Sequence, residues 1–551
     1  MVRKHLWFIL PLLILGIFAM KTFWGPGFYD GHDAQNHIVR LYHYDLALKD
    51  GQIPPRWAGA LLAGRGYPVF IFSYPLPYMM AEALHLLGFN LAVSLKLTFV
   101  LAYLTSIVAM YSFASHYWQS RRAGLLSALL WSWAPYMFVK LFITASLGVV
   151  VSYAFIPLFF LALYQLLLKP KFKTSLFLAL ITSAWLMSHS FTPIIFSPLI
   201  VLFIFFHLKR KTIKPVIKQL AIVAIIALGL TAWYLLPALT ELGYTYFAKF
   251  VTHAYDQQFV SFQRLLYSKW GTGAPGWSHT PLSQQVGIAQ WLAVGLAALL
   301  AILKPKTKTN YHLFPFILAF PLSIFLMLKI SQFIWDTIPL LATIHIPWRF
   351  LSLSVFTASM TAGYLIPRLR SCLARIFLAA LLITLALYGN RNHLRINEVR
   401  IYDQKFFQTY TSVATGWNEH LPIWIKNIPK EFPENKVNVL SGHCLISNLQ
   451  VKSNIQSFTA DCTESSTLQL NTAYYPGWQI IVNNQDITDQ VKAKLGSSNG
   501  IIQFSLNPGQ HEILAQFKDT PLRRITKYIS FLTLILVIYS IPLFGKGNRG
   551  R

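Results

Sequence analysis

Charge is scarce in this sequence, and negative charge scarcer still. Of 551 residues only 12% are charged, 19 acidic against 47 basic. Soluble chains carry roughly 25% charged residues, so a large water-exposed globule is excluded. Cysteine is almost missing. Three in the chain rule out a disulfide-scaffold protein. Cys372 lies in a basic stretch, and Cys444 and Cys462 lie in a polar one where a disulfide between them stays open. The sequence also lacks a P-loop, a G-x-S-x-G elbow and an H-E-x-x-H pair, which argues against ATP-driven transport by this chain alone.

What fills the space is apolar. The chain is 55% hydrophobic and 15% aromatic, with mean hydropathy +0.47. Runs long enough to cross a bilayer occur at 5–23, 92–113, 123–140, 149–168, 173–189, 191–207, 217–237, 286–303, 312–329, 350–367, 373–389 and 524–544. The sequence therefore predicts a polytopic α-helical membrane protein of about twelve transmembrane helices. The start, "MVRKHLWFILPLLILGIFAMK", has no A-x-A-like cleavage site and reads as an uncleaved first helix. The net charge of +28 sits in short clusters between runs: "LKPKFK", "HLKRKTIKPVIK", "LKPKTKTN" and "PRLRSCLAR". That distribution follows the positive-inside rule and excludes nucleic acid as the partner; membrane lipid is the partner it implies.

The segment 68–88, "PVFIFSYPLPYMMAEALHLLG", is apolar but interrupted by Pro68, Pro75 and Pro77, which break helices. Treated as an interfacial or re-entrant piece, it leaves the basic clusters, including Lys304, Lys306, Lys546, Arg549 and Arg551, on the cytoplasmic side with both termini. Three regions then face outward: 24–91, 238–285, where only Lys249, Arg264 and Lys269 are basic, and 390–523. The last loses its long apolar runs. "STLQLNTAYY", "WQIIVNN", "GIIQFSLNPG" and "HEILAQF" alternate apolar and polar residues between turn signals, predicting an extracytoplasmic C-terminal β-sandwich domain. The division is 1–389 for the membrane domain, 390–523 for the lead-in and sandwich, and 524–551 for a closing anchor and basic tail.

The stretch "FYDGHDAQNHIVR" (28–40) follows the first apolar run and gathers Asp30, His32, Asp33, His37 and Arg40. The residues after it alternate as an amphipathic helix lying in the interface. A carboxylate pair at the water–lipid boundary can hold a divalent metal, Mg or Mn, or act as a general base.

The longer run "GHDAQNHIVRLYHYDLALKDGQIPPRWAGALLAGRGYPVFIFSYPLPY", with "SHSFTP" (188–193), "WYLLPALTE" (233–241) and "HIPWRFL" (345–351), resembles a bacterial membrane-protein family labelled 6-pyruvoyl-tetrahydropterin synthase-related. No His cluster has a spacing that argues for the zinc site of the soluble pterin synthase. The resemblance implies a GT-C-like fold, the class of integral membrane glycosyltransferases that carry a catalytic Asp in the first external loop. The stretch "AYYPGWQIIVNNQDIT…GIIQFSLNPGQHEI" is similar to the external β domain of the related YfhO family.

What the resemblance implies is transfer of a sugar from a polyprenyl-phosphate donor to an extracytoplasmic acceptor (a cell-envelope glycan, lipid or protein) at the cell membrane. Asp33 is then the expected base, with Asp30 or His32 orienting it or sharing the metal and Glu241 a further catalytic acid. Arg349, His189, His32, His37 and Arg40 are the expected substrate-binding residues, Arg349 because a guanidinium forks onto phosphate. The alternative is a non-enzymatic membrane protein for polyisoprenoid-lipid or polysaccharide transport or assembly.

Overall fold

The computed structural model describes residues 2–247, 254–273, 279–303 and 308–540, the side chains of 2–4, 308 and 309 excepted. Lys249, Lys304, Lys306 and the tail residues Lys546, Arg549 and Arg551 lie outside the described residues. The main helices are α1 (Val2–Ala19), α2 (Ala34–Lys49), α3 (Pro75–Leu86), α4 (Leu91–Tyr117), α5 (Arg121–Ser132), α6 (Leu147–Leu168), α7 (Phe172–Ser188), α8 (Phe191–His207), α9 (Ile213–Thr240), α10 (Ile288–Leu303), α11 (Lys308–Met327), α12 (Leu351–Arg368), α13 (Cys372–Gly389) and α14 (Pro521–Ser540).

Several starts are written in the sequence. Asn90 caps α4 through the Val93 amide, Ser120 caps α5 through Ala123, and Ser371 caps α13 through Ala374, each satisfying an amide that the first turn leaves unpaired. Among the described residues six helices are long and apolar enough to span a bilayer: Leu91–Tyr117, Leu147–Leu168, Arg210–Tyr244, Asn310–Met327, Pro347–Arg368 and Cys372–Gly389. A seventh arises if Arg121–Ser132 and Pro135–Ile143, bent by 49°, form one broken span. That is fewer than the twelve expected. The apolar helices His5–Ala19, Phe172–Ser188, Phe191–His207 and Ile288–Leu303 are shorter, 10–17 residues, at or under the low end of the spanning range.

The segment 68–88 is broken as its prolines require. A four-residue helix at Val69–Phe72 ends at extended Ser73 and Tyr74, and α3 starts at Pro75; the residue before a proline is driven out of the helical region.

The core runs along α12, which packs against α5, α10 and α11. Its window is 94% buried and rich in small residues: Ser352, Ser354, Thr357, Ser359, Thr361 and Gly363. Small side chains let helix backbones approach closely, and a Cβ on Gly363 would strike Ser127 and Trp118. Elsewhere α4 packs on α5 and α6, α6 on α7, α7 on α9, and α9 on α14.

The C-terminal region is β-rich. Strands β3 (Val437–Ser441), β6 (Ser466–Ala473) and β9 (Ile501–Leu506) form one sheet. Strands β4 (Cys444–Val451), β5 (Ile455–Cys462), β10 (Gly509–Phe517), β7 (Trp478–Val482) and β8 (Gln485–Asp486) form another, in that order. Alternation sends Ile513, Ala515 and Phe517 of β10 and Leu468 and Leu470 of β6 inward, the period-two burial of a half-covered sheet. Cys444 and Cys462, opposite each other in the β4–β5 register, are joined by a disulfide.

These strands dock on the loop after α2. Trp57 stacks on Phe517 at 5.1 Å, and the Ser453 amide donates to Asp50 Oδ2 at 2.7 Å. A two-stranded ladder, β1 (Phe28–Tyr29) on β2 (Val399–Arg400), ties the residues after α13 to the loop before α2.

Candidate functional site

Asp33 is the residue before α2, and its position is fixed by backbone contacts. The His32 and Asp33 amides donate to the carbonyls of Ile143 and Thr144 at 3.0 and 3.1 Å. Gly31 permits this approach, since a Cβ there would lie 2.9 Å from the Ile143 carbonyl oxygen. The partner strip, Val139–Ile143, is a π-helical turn, an irregularity frequent at functional sites.

Burial pushes the Asp33 carboxyl above its ordinary value of 3.8, and Arg40, Lys140, His32 and Arg349 oppose that shift through their charges. One carboxylate thus has cationic neighbours from its own helix and from two distant segments. Arg40 stands two turns along α2 and donates from Nε to the Ala414 carbonyl at 2.7 Å and from a terminal nitrogen to the Tyr78 hydroxyl at 3.3 Å. Lys140 is 4% exposed. Its ammonium sits over the rings of Trp348 at 4.6 Å and Tyr136 at 5.1 Å, and among the described residues it has no carboxylate within ion-pair distance. Arg349 lies over Phe191 at 5.1 Å and donates to the Ile344 carbonyl at 3.0 Å.

His345, next to it, adopts φ +48°. This left-handed conformation is costly for a non-glycine residue, and such strain clusters at functional sites. Its ring nitrogen lies 3.4 Å from Arg349.

Two more histidines complete the cluster. His37 is buried and meets the Tyr78 hydroxyl through Nδ1 at 2.7 Å, while its Nε2 accepts from the Leu147 amide at 3.4 Å. Burial first and Arg40 second hold it well below the ordinary 6.5, so it is neutral. His189 is 7% exposed, has Arg349, Lys140 and His345 as neighbours, and its Nδ1 is buried with no hydrogen-bond partner. An unsatisfied buried polar atom costs free energy, and a bound ligand atom would relieve it.

The other expected residues fall elsewhere. Asp30 pairs with Arg400 at 3.1 Å, and the His32 ring meets the Thr272 carbonyl at 2.7 Å; both line an outer cavity beside the cluster. Glu241, expected as a further catalytic acid, sits in a buried ion pair. It is 4% exposed and bound bidentately by Arg523 of α14 at 2.8 and 2.6 Å, with the Tyr475 hydroxyl donating at 3.1 Å. Its oxygens are consumed in tying α9 to α14 and to the β-rich region.

The metal shared by Asp30 and Asp33 does not fit. Among the described residues no three His, Cys, Asp or Glu side chains are placed to hold an ion, and the two aspartates take different cationic partners. The sequence reading missed Lys140, Tyr78 and Tyr136. A lone lysine within "YMFVKLFI" was the available signal, because charge inside an apolar run is expensive and tends to be functional.

Comparison with known proteins adds the following. A family model described as the 6-pyruvoyl-tetrahydropterin synthase related domain, of membrane proteins, matches residues 71–391. An uncharacterized protein of Lactococcus lactis subsp. cremoris (strain MG1363) is 26% identical over 243 residues, a match spanning 43% of this chain and 40% of the relative.

Proposed function

The chain belongs to the 6-pyruvoyl-tetrahydropterin synthase related family of membrane proteins, and on that premise we propose that it is a glycosyltransferase using a polyprenyl-phosphate sugar. Asp33 takes the proton from an acceptor hydroxyl. The acceptor oxygen forms a bond to the anomeric carbon as the bond from that carbon to the phosphate oxygen breaks, inverting the centre, and the polyprenyl phosphate leaves with the electron pair. Arg349, Lys140 and Arg40 hold the phosphate as its charge develops, through charge-assisted hydrogen bonds. His189 gives it a further contact.

The single observation that carries this reading is the charge count around Asp33: one carboxylate facing Arg40, Lys140 and Arg349, an excess of cation that a phosphate would balance. A carboxyl raised by burial also suits a base, because its pKa moves toward the working pH.

In this reading the six spans, the bent pair, the four shorter apolar helices and Pro521–Ser540 supply twelve crossings of the plasma membrane. Both termini are cytoplasmic, and the β-rich region and Asp33 face outward. The pterin-synthase activity in the family label is not part of the proposal, since among the described residues no group of three metal-ligating side chains is assembled.

The test is transfer of labelled sugar from a polyprenyl-phosphate donor by membrane vesicles carrying the chain. Asp33→Asn abolishes transfer while the protein remains folded. Transfer at the normal rate by that variant would remove Asp33 from the chemistry and favour the transport reading.

A further inference from the structure

Beside the cation cluster lies a second space of different chemistry. A cavity of about 180 Å³ opens outward between Asp30, Gly31, His32, Ile143, Thr272 and Asn397. Four chain segments build it. The loop before α2 is pinned to the Val139–Ile143 turn by the His32 amide and to the residues before β2 by the Asp30 amide, which donates to the Glu398 carbonyl at 2.7 Å. The 267–273 segment is held by His32 on the Thr272 carbonyl.

Gly31 is part of its lining. It stands two residues before Asp33, so the cavity adjoins the segment that carries the base.

The charge here differs from that of the neighbouring cluster. Asp30 is paired with Arg400, which leaves the lining close to neutral. Among the described residues, the Thr272 hydroxyl and the Asn397 amide have no hydrogen-bond partner, and the second Asp30 oxygen has none either. Carboxylate, amide, hydroxyl and imidazole together offer both donors and acceptors. A planar carboxylate or amide can bridge two adjacent hydroxyls, whereas a phosphate would be better served by the cations next door.

We propose that this cavity is the acceptor subsite and that the acceptor is a neutral saccharide, whose hydroxyls meet Asp30, His32, Thr272 and Asn397 and one of which reaches Asp33. This rests on the transferase reading above, and it divides the site: a lipid phosphate on the Arg349 side of Asp33, an uncharged sugar ring on the Asp30 side.

The full chain in lipid nanodiscs is applied to an array of neutral mono- to tetrasaccharides with acidic saccharides as controls, and separately to vesicles containing polyprenyl phosphate. Neutral saccharides are expected to be retained. Asn397→Leu and Thr272→Val, on exposed or half-buried positions, each weaken that retention roughly 3- to 10-fold, the loss of one hydrogen bond, and leave vesicle binding intact. Arg349→Ala does the reverse.

No retention of neutral saccharides, preference for the acidic ones, or retention unchanged in both Asn397→Leu and Thr272→Val overturns the subsite. If saccharides bind and depend on Asn397 while polyprenyl phosphate does not bind at all, the donor half of the function fails and this inference stands.

Discussion

Glu241→Gln separates a structural acid from a catalytic one. The pair it breaks is deep: Arg523 is 0% and Glu241 5% exposed at the side chain. The guanidinium spends two hydrogen bonds on this carboxylate, one on the Pro476 carbonyl at 2.9 Å, and lies over Phe517 at 5.1 Å. Replacing the carboxylate by an amide keeps the shape and strands the cation. Breaking one side of a buried pair costs about 3–5 kcal/mol, a large share of the roughly 5–15 kcal/mol that holds a domain together.

Converting both partners, Glu241→Gln with Arg523→Met, removes the stranded charge. Most of the loss is therefore recovered, since buried pairs replaced by neutral residues are often close to isoenergetic. The assay is thermal unfolding in nanodiscs followed by tryptophan fluorescence, with proteolysis of the β-rich region as a second probe. The expected order is wild type above the double variant, and the double variant above the single. A single variant that melts with wild type but has lost sugar transfer would refute the structural assignment and restore Glu241 to the chemistry.

Glu82 on α3 is 3% exposed with neither carboxylate oxygen partnered. Burial first and Asp45 second raise it above the ordinary 4.5, against the pull of His85 and Lys49. Its contribution to stability is full below about pH 4.5 and is lost as pH rises through the elevated folded-state value. Glu82→Gln should remove that part of the decline, and the difference between melting curves of variant and wild type across pH 4.5–8 measures it. Lys140→Met deletes a buried cation without adding polarity. It is expected to weaken retention of polyprenyl-phosphate vesicles by about tenfold or more, the size of a charged hydrogen bond. Unchanged retention would exclude Lys140 from phosphate binding.

Sequence and structure agree where local chemistry decides. The prolines at 68, 75 and 77 predicted the broken segment, and alternation in "STLQLNTAYY" and "HEILAQF" matched β6 and β10 because a half-buried sheet leaves a period of two in the sequence. The cluster was legible as residue types but not as a meeting. Asp33, Lys140, His189 and Arg349 come from four segments, and nothing local records which ends of which helices converge. Lys140 was hidden because the run at 123–140 scores as one apolar span. In the fold that run bends by 49°, and its π-turn meets the backbone of the loop before α2. The partner of Glu241 was illegible too: an acid at a helix end has the same sequence appearance whether it faces a ligand or a buried arginine 282 residues away.

The scarcity of acid in the chain returns at the site. With Asp33 ionised, the cluster still holds more positive than negative charge, and assembling like charges in a shielded space is unfavourable unless an anion completes it. The carboxylate therefore has two opposing effects on a phosphate ligand: it lowers the repulsion among the cations and it repels the ligand itself. Asp33→Asn separates them. Binding and turnover should move in opposite directions, with polyprenyl-phosphate vesicles retained more tightly and transfer lost. A unit charge at about 4 Å is worth about 1 kcal/mol in water and about 4 kcal/mol at an effective dielectric of 20, so the gain in retention should be about fivefold or more and shrink with added salt. Retention that falls in Asp33→Asn would mean that the carboxylate organises the cations before it does anything else, and the assignment of Asp33 as the base would have to be replaced by a positioning role.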